Sequence, residues 1–474
     1  MMIKGMENNE FQIFSLLFFF MSKKTEKSKK TRSEIENKEQ KQKKGETTEE
    51  KALPKFEEEF SEWFQEIITR AEIIDYRYPL KGCGVWLPYG FKLRRKALNI
   101  MRDLLESTEI PHQEYLFPML IPDFLFLKEK EHVKGFEDEV YWVTHGGLTP
   151  LDVKLALRPT SETVIYPMMK LWIRSHVDLP LKTYQIVNTF RWEGKNTRPL
   201  IRVREITTFK EAHTAHTTAE DAEKQIREAV GIYKRFFDFL GVSYIITQRP
   251  KWDTFPGANY TIAFDAIFPG MHRTLQIGTV HNLGTVFAQT YDIKYENDKG
   301  ENVFVHQTCY GISERAIAAI IAEHGDDKGL KIPPNIAPIQ VIIIPVLYKN
   351  KEEMVIEESK KVYEMLKQTH IEVEIDLRDL KSGRKYYEWE EKGVPIRLEV
   401  GPKDVENQAV MMVRRDTGQK QSVPKTELIK TLNQTFNTMV SEMKNKTEQY
   451  VHEKVIQTED LNTAYDLIEQ NKGV

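Results

Sequence analysis

Apolar residues recur along the chain at two spacings, about 3.6 residues and 2 residues, which are typical of buried helix faces and half-buried strands. The first helical stripe consists of Phe60, Trp63, Phe64, Ile67 and Ile68. The same spacing predicts helices over residues 92–106 and 219–240, and another that begins at Ser313. Residues 182–209 predict two strands joined by the polar loop GKNTRPL, and further strands continue to about Thr290.

A boundary follows at residues 331–338, where KIPPNIAP places three prolines ahead of a new apolar run. That run, QVIIIPV, is short, continuous and β-branched, which indicates a strand buried on both faces. Helices and strands then alternate to about Ser422, which is typical of a small three-layer α/β domain. The last fifty residues predict a helical extension. Its apolar stripe consists of Leu428, Leu432, Phe436, Met439, Val440 and Met443.

The first fifty residues differ from the rest of the chain. The apolar run Phe11–Phe20 is too short to span a bilayer, and a basic tract follows it without a small-residue cleavage site. Residues 21–51 are rich in Lys and Glu and nearly devoid of apolar side chains, so we expect a disordered tail. Because Met21 opens the basic tract, we expect translation to begin there and residues 1–20 not to be translated.

Charge and cysteine content narrow the partners and the compartment. The chain has 68 basic and 71 acidic residues, so any nucleic-acid surface must be a local patch. Apolar residues make up 40 % of the chain, which is enough for a large core and excludes a disordered protein. Cys83 and Cys309 are the only cysteines; they cannot form a four-thiolate zinc site and are typical of a reducing compartment.

Three separated segments hold residues suited to nucleotide chemistry. The first is the helix over 92–106 with the extended segment Tyr115–Ile121, where a proline indicates an edge or interface strand. In the second, FRWE ends a strand, and alternation places Arg191 and Glu193 on one face. A guanidinium there can hold a phosphate oxygen, and the carboxylate can accept from an adenine amino group. For either residue alone, an ordinary cross-strand ion pair is the simpler explanation.

The third segment, GISER (311–315), opens the last helix of the first part. A glycine lets the backbone approach a ligand, and an arginine at a helix N-terminus adds charge where anions bind. Alone, it is equally an ordinary turn with a solvent-facing arginine. In this order, and followed by an α/β domain, the three segments resemble the signature motifs of class II aminoacyl-tRNA synthetases.

Further segments narrow the resemblance to the prolyl-tRNA synthetase family. RPTSET (158–163) resembles the class IIa Thr-x-Glu loop, and KGCGVWLPYG, FKEAHTAH and WDTFPGA are similar to segments of archaeal and eukaryotic-like prolyl enzymes. The resemblance implies an α+β catalytic domain with an antiparallel sheet, a three-layer α/β anticodon-binding domain and a C-terminal helical extension. The predicted parts are 1–51 (disordered extension), 52–332 (catalytic), 333–424 (anticodon-binding) and 425–474 (helical extension).

The resemblance implies a two-step ligation of L-proline to tRNA(Pro) through prolyl-adenylate, with ATP, Mg²⁺ and release of AMP and pyrophosphate. Arg191 and Arg315 would be the catalytic residues, on the α- and γ-phosphates. Glu193 would recognise the adenine with Phe209 stacked on it. The remaining ATP-binding candidates are Arg202, Gln276 and Thr279.

The same resemblance implies a proline site. Thr160 and Glu162 would accept from the ammonium, and Arg191 would also contact the amino acid. The candidates to enclose the ring are His213, Phe255 and His281, for which core packing is the alternative. Strict alternation places Gln276 opposite Thr279 and His281, so either Gly278 marks a bulge or not all three face the ligand.

Candidate tRNA contacts are also implied. The residues that match a loop near the terminal nucleotide of tRNA are Phe136 and Glu139. The candidate anticodon-binding residues are Arg378, Arg384, Lys385 and Lys392. For each of these basic residues alone, a solvated surface position is the simpler explanation.

The remaining expectations concern assembly and departures from the family. We expect a cytoplasmic homodimer that is not membrane-bound. The chain ends early for the family and lacks the cysteines of a zinc-binding C-terminal domain, so we expect no metal held by protein side chains and a truncated C-terminus. The interval 209–311 is too short for the editing insertion of many bacterial prolyl enzymes. Two alternatives stay open: an inactive synthetase-like tRNA-binding or regulatory protein, and another class IIa specificity.

Overall fold

Residues 52–128, 139–194, 196–271 and 273–469 are described by a computed structural model. The tail predicted for residues 1–51 lies outside these ranges. In the first part of the chain the helices are α1 (Phe60–Arg70), α2 (Pro88–Glu106), α3 (Asp123–Lys128), α4 (Glu162–Trp172), α5 (Ala219–Leu240), α6 (Val286–Tyr291) and α7 (Arg315–His324). The strands of this part are β1 (Ile74–Asp75), β2 (Val85–Trp86), β3 (Gln113–Glu114), β4 (Leu120–Pro122), β5 (Trp142–Gly146), β6 (Thr149–Leu157), β7 (Leu181–Phe190), β8 (Glu205–His216), β9 (Ile245–Gln248), β10 (Tyr260–Phe268), β11 (Arg273–Gly284), β12 (Lys294–Glu296), β13 (Asn302–Phe304) and β14 (His306–Ile312).

A seven-stranded sheet in the order β3-β7-β8-β14-β11-β10-β9 forms the centre of this part. Its neighbours pair antiparallel except β3 and β7, which are parallel. Strand alternation gives the sheet two covered faces. On β14, Tyr310 packs into an apolar cluster with α5 and α7, whereas Cys309 faces a second cluster with α4 and α6. The candidate site lies on this second face. The smaller sheets are β4-β6-β5, β1-β2 and β12-β13.

Helix α5 shows how local sequence sets an element. It spans Ala219–Leu240, as predicted, and buries eight apolar residues of its stripe together with Gln225. The Thr218 hydroxyl accepts from the backbone N–H of Asp221 (3.1 Å), which satisfies a donor at the N-terminus. Gly241, with φ of 69°, takes the left-handed conformation that ends the helix.

Other elements differ from the prediction. Helix α2 begins at Pro88, four residues earlier than expected, because proline lacks only an N–H that the first turn leaves unused. The segment Tyr115–Ile121 is not one strand, since β3 ends just before it and the short β4 includes only its last two residues. Helix α4 was not predicted, and it begins inside the RPTSET segment, at Glu162. It contains Pro167, which removes a helical hydrogen bond and obscures the pattern.

The second part begins after the proline-rich boundary. Its helices are α8 (Glu352–Lys367), α9 (Ser382–Glu391), α10 (Pro402–Glu406), α11 (Leu428–Lys454) and α12 (Leu461–Glu469). Its strands are β15 (Val341–Pro345), β16 (Val373–Ile375), β17 (Ile396–Val400), β18 (Ala409–Arg414) and β19 (Lys420–Pro424). They form a sheet in the order β16-β15-β17-β18-β19.

Strand β15 lies between two parallel neighbours and is buried along its whole length, which explains its continuous apolar pattern. The predicted stripe of α11 is confirmed for Leu428, Leu432, Phe436 and Met439, which pack against this sheet. Val440 is only half-buried. The α/β domain and its C-terminal helix therefore share one core.

The two parts meet at the C-terminus of α7. The Arg415 guanidinium donates to both carboxylate oxygens of Asp326 (2.9 and 2.6 Å), which also pairs with Lys331 (2.9 Å). Gly393, with φ of 71°, lies so close to Leu330 that a Cβ would come within 2.6 Å of its carbonyl carbon. Backbone and charge thus dock the second domain onto the first. None of the helices within the described ranges is long and apolar enough to cross a membrane.

Candidate active site

A cavity of about 500 Å³ opens on the second face of the large sheet. It gathers residues that lie far apart in sequence, from the loops after β6 and β7, from β8, β11 and β14, and from the start of α7. The predicted site residues that line it are Thr160, Glu162, Arg191, Glu193, Arg202, Phe209, Phe255, Gln276, Thr279, His281 and Arg315.

Arg191 follows the last residue of β7. Its Nε donates to the Pro159 carbonyl oxygen (3.3 Å), and its backbone N–H donates to the Arg204 carbonyl (2.9 Å). Strand alternation does not explain its proximity to Glu193, because β7 ends at Phe190 and the Glu193 N–H instead donates to the Arg191 carbonyl (2.8 Å). Both residues nevertheless line the cavity.

Glu193 is buried and holds the loop between β7 and β8. Its carboxylate accepts from Arg202 Nε at 2.5 Å, and its carbonyl accepts from Arg204 Nε and Nη2 at 3.2 and 3.1 Å. The Arg204 guanidinium also lies 3.8 Å from the centre of the Trp192 ring. Two arginines therefore fix this loop at the edge of the cavity.

Arg315 is the first residue of α7, which begins two residues after the predicted start at Ser313. Its Nε donates to the Ile201 carbonyl (2.9 Å), and Nη1 donates to the Gln276 carbonyl (3.2 Å). Burial, followed by the nearby Arg191 charge, lowers the pKa of Arg315 from its ordinary value. Two guanidinium groups close enough to affect each other are suited to an anion of high charge.

The Gln276 question is answered by a bulge in β11. Phe264 pairs with Gly278 and Asp265 pairs with Gln276, so Ile277 is the extra residue beside the glycine. The bulge reverses the alternation, and Gln276, Thr279 and His281 all line the cavity. Of the two alternatives, the bulge is confirmed.

A second end of the cavity carries carboxylates. Glu162 is the first residue of α4 and is buried; it accepts a hydrogen bond from the Thr160 hydroxyl through Oε2 and from the Cys309 thiol through Oε1 (3.6 Å). Glu211 lies on β8 and lines the same cavity. Buried carboxylates of this kind favour a cationic ligand group.

Phe255 and His281 form a wall, with their ring centres 4.8 Å apart. The His281 ring is held by the hydroxyls of Thr261 (2.8 Å) and Thr279 (2.9 Å). Burial, with the His213 charge adding to it, lowers the pKa of His281 to about 3. The imidazole is therefore neutral at physiological pH and presents a flat, uncharged face.

Two predicted contacts are placed differently. His213 is fully buried behind the cavity rather than lining it, where its ring contacts the Tyr166 hydroxyl (3.0 Å) and Glu211 (3.4 Å). Glu139 lies near Arg191, whose pKa its charge raises against the larger effect of burial, and its carbonyl accepts from the Trp192 N–H. Phe136 lies outside the described residues.

The candidate anticodon residues surround α9. The Lys385 side chain is only 3 % exposed, and its Nζ donates to the Asp376 carbonyl (3.0 Å), so it is directed into the domain and not toward solvent. Lys392 is paired with Glu72 of the first part (2.9 Å), so it is a domain-docking residue. Arg378 and Arg384 are about half exposed and pair with Asp376 and Glu388.

The cavity-lining residues to which sequence reasoning gave no role include Glu211, Trp252, Cys309 and Glu314. Glu211 stands in FKEAHTAH and Trp252 in WDTFPGA. Because both segments already resembled those of the family, their polar and aromatic residues could have been tested as candidates. Glu314 accepts from the backbone N–H groups of Thr207 (2.9 Å) and Thr208 (3.1 Å), while burial raises its pKa to about 7. It holds the start of β8 against α7.

One group in the described part of the chain has metal-ligand geometry. The ligand atoms of Glu162, His213 and Cys309 all lie within 4.8 Å of one another. Burial, followed by the Glu162 charge, raises the pKa of the Cys309 thiol well above its ordinary value. Because a metal binds the thiolate and this sulfur instead donates to Glu162, the group fits a hydrogen-bonded cluster better than a metal centre.

Two segments of the chain match known protein families. Residues 141–324 match the family described as "tRNA synthetase class II core domain (G, H, P, S and T)", and residues 340–435 match "Anticodon binding domain". The chain is 57 % identical over 418 residues to a proline–tRNA ligase of Methanocaldococcus jannaschii, covering 88 % of this chain and 91 % of the relative. The chain belongs to the prolyl-tRNA synthetase family.

Further similarity supports this membership. A proline–tRNA ligase of Methanothermobacter thermautotrophicus is 52 % identical over 416 residues, covering 88 % of this chain and 86 % of the relative. The solved structure of a Giardia lamblia prolyl-tRNA synthetase in complex with prolyl-adenylate is similar with a TM-score of 0.85 and 39 % identity, covering 89 % of this chain and 88 % of that one. The predicted fold class and proline–tRNA ligase activity are confirmed.

Proposed function

We propose that the cavity binds ATP and L-proline side by side and that its two ends supply opposite charges to them. The observation that supports this most strongly is the neighbourhood of Arg191 and Arg315 with Glu162 and Glu211 in one cavity. A nucleotide triphosphate requires cations, and the ammonium of an amino acid requires an anion. Arg191 lies where the charges of both carboxylates reach it, since both raise its pKa against the lowering effect of burial.

In the first step, a proline carboxylate oxygen attacks the α-phosphorus of ATP and pyrophosphate leaves. Arg191 binds the α-phosphate as its charge develops, and Arg315 binds the γ-phosphate. Their Nε atoms are already anchored on backbone carbonyls, so little reorganisation is needed. The protein supplies no nucleophile; it aligns the two reactants and stabilises charge.

The nucleotide base lies beside the β7–β8 loop. Glu193 accepts from the adenine amino group, with Phe209 against the base. Arg202, 46 % exposed and paired with Glu193, adds a phosphate or adenine contact. Gln276 and Thr279, brought to one face by the bulge, complete the site.

Proline occupies the other end of the cavity. Its ammonium lies beside Thr160 and Glu162, whose carboxylate accepts from it and is oriented by the Thr160 hydroxyl. The ring packs on the wall formed by Phe255 and His281. A neutral His281 suits this position, because a charged ring there would repel the ammonium.

In the second step, a ribose hydroxyl of the terminal adenosine of tRNA(Pro) attacks the adenylate carbonyl, forming the prolyl ester and releasing AMP. Phe136 and Glu139 are the proposed contacts of that end. Arg378 and Arg384 are the proposed anticodon contacts, since each combines a guanidinium with an exposed position.

Magnesium is part of the proposal. The carboxylates that line the cavity near Arg315 already accept hydrogen bonds, Glu193 from Arg202 and Glu314 from two backbone N–H groups. This arrangement fits Mg²⁺ that is carried mainly by phosphate oxygens and water, as is usual for this ion. When bound, the ion neutralises phosphate charge.

We further propose a homodimer. Leu116 (82 %), Leu120 and Leu171 are exposed apolar side chains. Leu116 lies in the chain between Tyr115 and Phe117, and Leu171 precedes Trp172, whose ring contacts both of those aromatic rings. Contiguous exposed apolar side chains are typical of an interface. Sedimentation equilibrium should give twice the chain mass and Leu116→Glu should shift it toward the monomer; a monomeric wild type contradicts the proposal.

The cytoplasm is the proposed location. Cys83 and Cys309 are buried free thiols, which is typical of a reducing compartment. Cell fractionation in which the protein follows a secreted marker would contradict this assignment.

ATP–pyrophosphate exchange, with each amino acid offered separately, tests the function. We expect exchange with proline. Exchange with none would contradict activation, and stronger exchange with threonine, serine or glycine would contradict the specificity.

A further inference from the structure

Glu211 is a buried carboxylate in the cavity to which the proposed function has so far given no contact. It lies in the middle of β8, is 2 % exposed and lines the same cavity as Glu162 and Arg191. Its neighbour Lys210 contacts Tyr233 on the opposite face of the sheet. Strand alternation therefore directs Glu211 toward the ligand side.

Amide and imidazole groups hold the Glu211 carboxylate in place. Gln185 Nε2 donates to its Oε1 at 2.8 Å, and the Gln185 amide is itself fixed by the Ser161 hydroxyl (3.0 Å) and the Phe117 N–H (3.1 Å). His213 Nε2 lies 3.4 Å from Oε2, which is a long hydrogen bond. The Gln185 amide is therefore the closer of these two partners.

The charge state agrees with this geometry. Burial opposes ionisation, yet the hydrogen bond and charge of His213, with hydrogen bonds from Ser161 and Gln185, lower the pKa of Glu211. The carboxylate is thus ionised at neutral pH. Burying an anion is costly unless a cation or several donors compensate it.

Glu162 alone is poorly placed to bind both N–H groups of a secondary ammonium. One of its oxygens already accepts from the Thr160 hydroxyl and the other from the Cys309 thiol. Glu162 and Glu211 both act on Cys309, whose pKa their charges raise in addition to burial. The two carboxylates thus both lie near the Cys309 thiol, which lines the cavity with them.

We propose that Glu211 and Glu162 together bind the secondary ammonium of proline, each carboxylate accepting one N–H. This inference rests on the proposed function, which places proline at this end of the cavity. It makes Glu211 a specificity residue: the site requires a ring nitrogen that is both cationic and able to donate twice. A neutral ring of the same shape gains nothing from Glu211.

The test is Glu211→Gln, which keeps the shape and an acceptor for Gln185 but removes the charge. In ATP–pyrophosphate exchange the KM for proline should rise roughly 10- to 100-fold, the range for loss of a charged hydrogen bond, with the KM for ATP unchanged. Inhibition by tetrahydrofuran-2-carboxylate, where oxygen replaces the ring nitrogen, should not change. An unchanged KM for proline, or an equal loss of the oxygen analogue, overturns the inference.

Glu205→Gln is the matched control. Glu205 stands on the same strand and accepts from the Asn188 amide (2.8 Å), as Glu211 does from Gln185, but it does not line the cavity. It should leave the KM for proline at the wild-type value. Should E211Q not fold, Glu211→Asp decides: selective loss of proline supports the inference, and equal loss of both ligands overturns it. A wild type that exchanges no pyrophosphate with proline would instead contradict the proposed function itself.

Discussion

Two arginines that line the cavity and two arginines of the second domain are held by different partners, whereas Arg202, also in the cavity, pairs with Glu193. In the cavity, Nε of Arg191 and of Arg315 donates to a backbone carbonyl. In the second domain, the buried Arg414 and Arg415 donate to carboxylates at 2.7 and 2.6 Å. A carbonyl orients a guanidinium without supplying a full opposite charge, whereas a carboxylate cancels it.

The difference separates two uses of the same side chain. Burying a charge against a carbonyl prepares it for an anionic ligand, at a cost in solvation that the ligand later offsets. Burying it against a carboxylate fixes a loop or a domain contact. The number of arginines in a region is thus a poor guide to anion binding, and the partner of each one is a better guide.

Removing a cavity arginine tests the comparison most strongly. Arg191→Ala should reduce the rate of ATP–pyrophosphate exchange roughly 10²- to 10³-fold, because one preorganised donor to the developing charge is lost. Arg378→Ala is the matched control from the second domain and should leave exchange near the wild-type rate. Near-normal exchange by the Arg191 variant would contradict its phosphate role.

Breaking the contact between the two domains should lower the stability of the protein. Asp326→Asn removes the charge opposite Arg415, whose side chain is 5 % exposed, and should lower the free energy of unfolding by about 2 kcal/mol, discounted for the partial exposure of Asp326. Urea denaturation measures this loss. Lys351→Met, which breaks an exposed pair with Glu406, should change stability by less than about 1 kcal/mol. Equal losses in the two variants would remove the distinction.

Sequence periodicity predicted elements better than partners. Helix α5 and strand β15 follow from one apolar stripe and one continuous run, since burial alone sets those patterns. Strict alternation placed Gln276 on the face opposite Thr279 and His281. This conflict made a bulge beside Gly278 one of the two predicted alternatives. Helix α4 was missed because Pro167 interrupts its pattern.

The sequence did not predict which charged residues are buried. Lysine is usually a surface residue, yet Lys385 donates to the Asp376 carbonyl inside the second domain. The FKEAHTAH segment alone assigns Glu211 no role, because a strand pattern does not show which polar residue faces a cavity. The positions of Lys385 and Glu211 depend on contacts with Asp376 and Gln185. The spacing of residues along the chain does not predict these contacts.

The pH dependence of stability distinguishes the two faces of β8. Burial lowers the pKa of Lys210 to about 7, so between pH 7 and its unfolded pKa near 10.5 the folded state binds fewer protons than the unfolded state. Stability from this group therefore rises with pH in that window. The unfolding free energy of wild type minus that of Lys210→Met should increase by about 1 kcal/mol per pH unit from pH 8 to 10. Urea denaturation at each pH measures it, and a flat difference would contradict a buried, depressed lysine.

The smallest expected effect concerns an exposed arginine of α9. Arg384 pairs with Glu388 within the same helix, and its side chain is 53 % exposed, so the pair contributes little to stability. If it contacts tRNA, Arg384→Ala should raise the KM for tRNA(Pro) in aminoacylation by roughly 3- to 10-fold and reduce the salt dependence by about one phosphate contact. Pyrophosphate exchange should not change, because the helix lies in the second domain. Lys430→Ala, an exposed cation on α11, is the control that should leave the KM for tRNA unaltered; equal effects of the two would indicate general attraction rather than contact by α9.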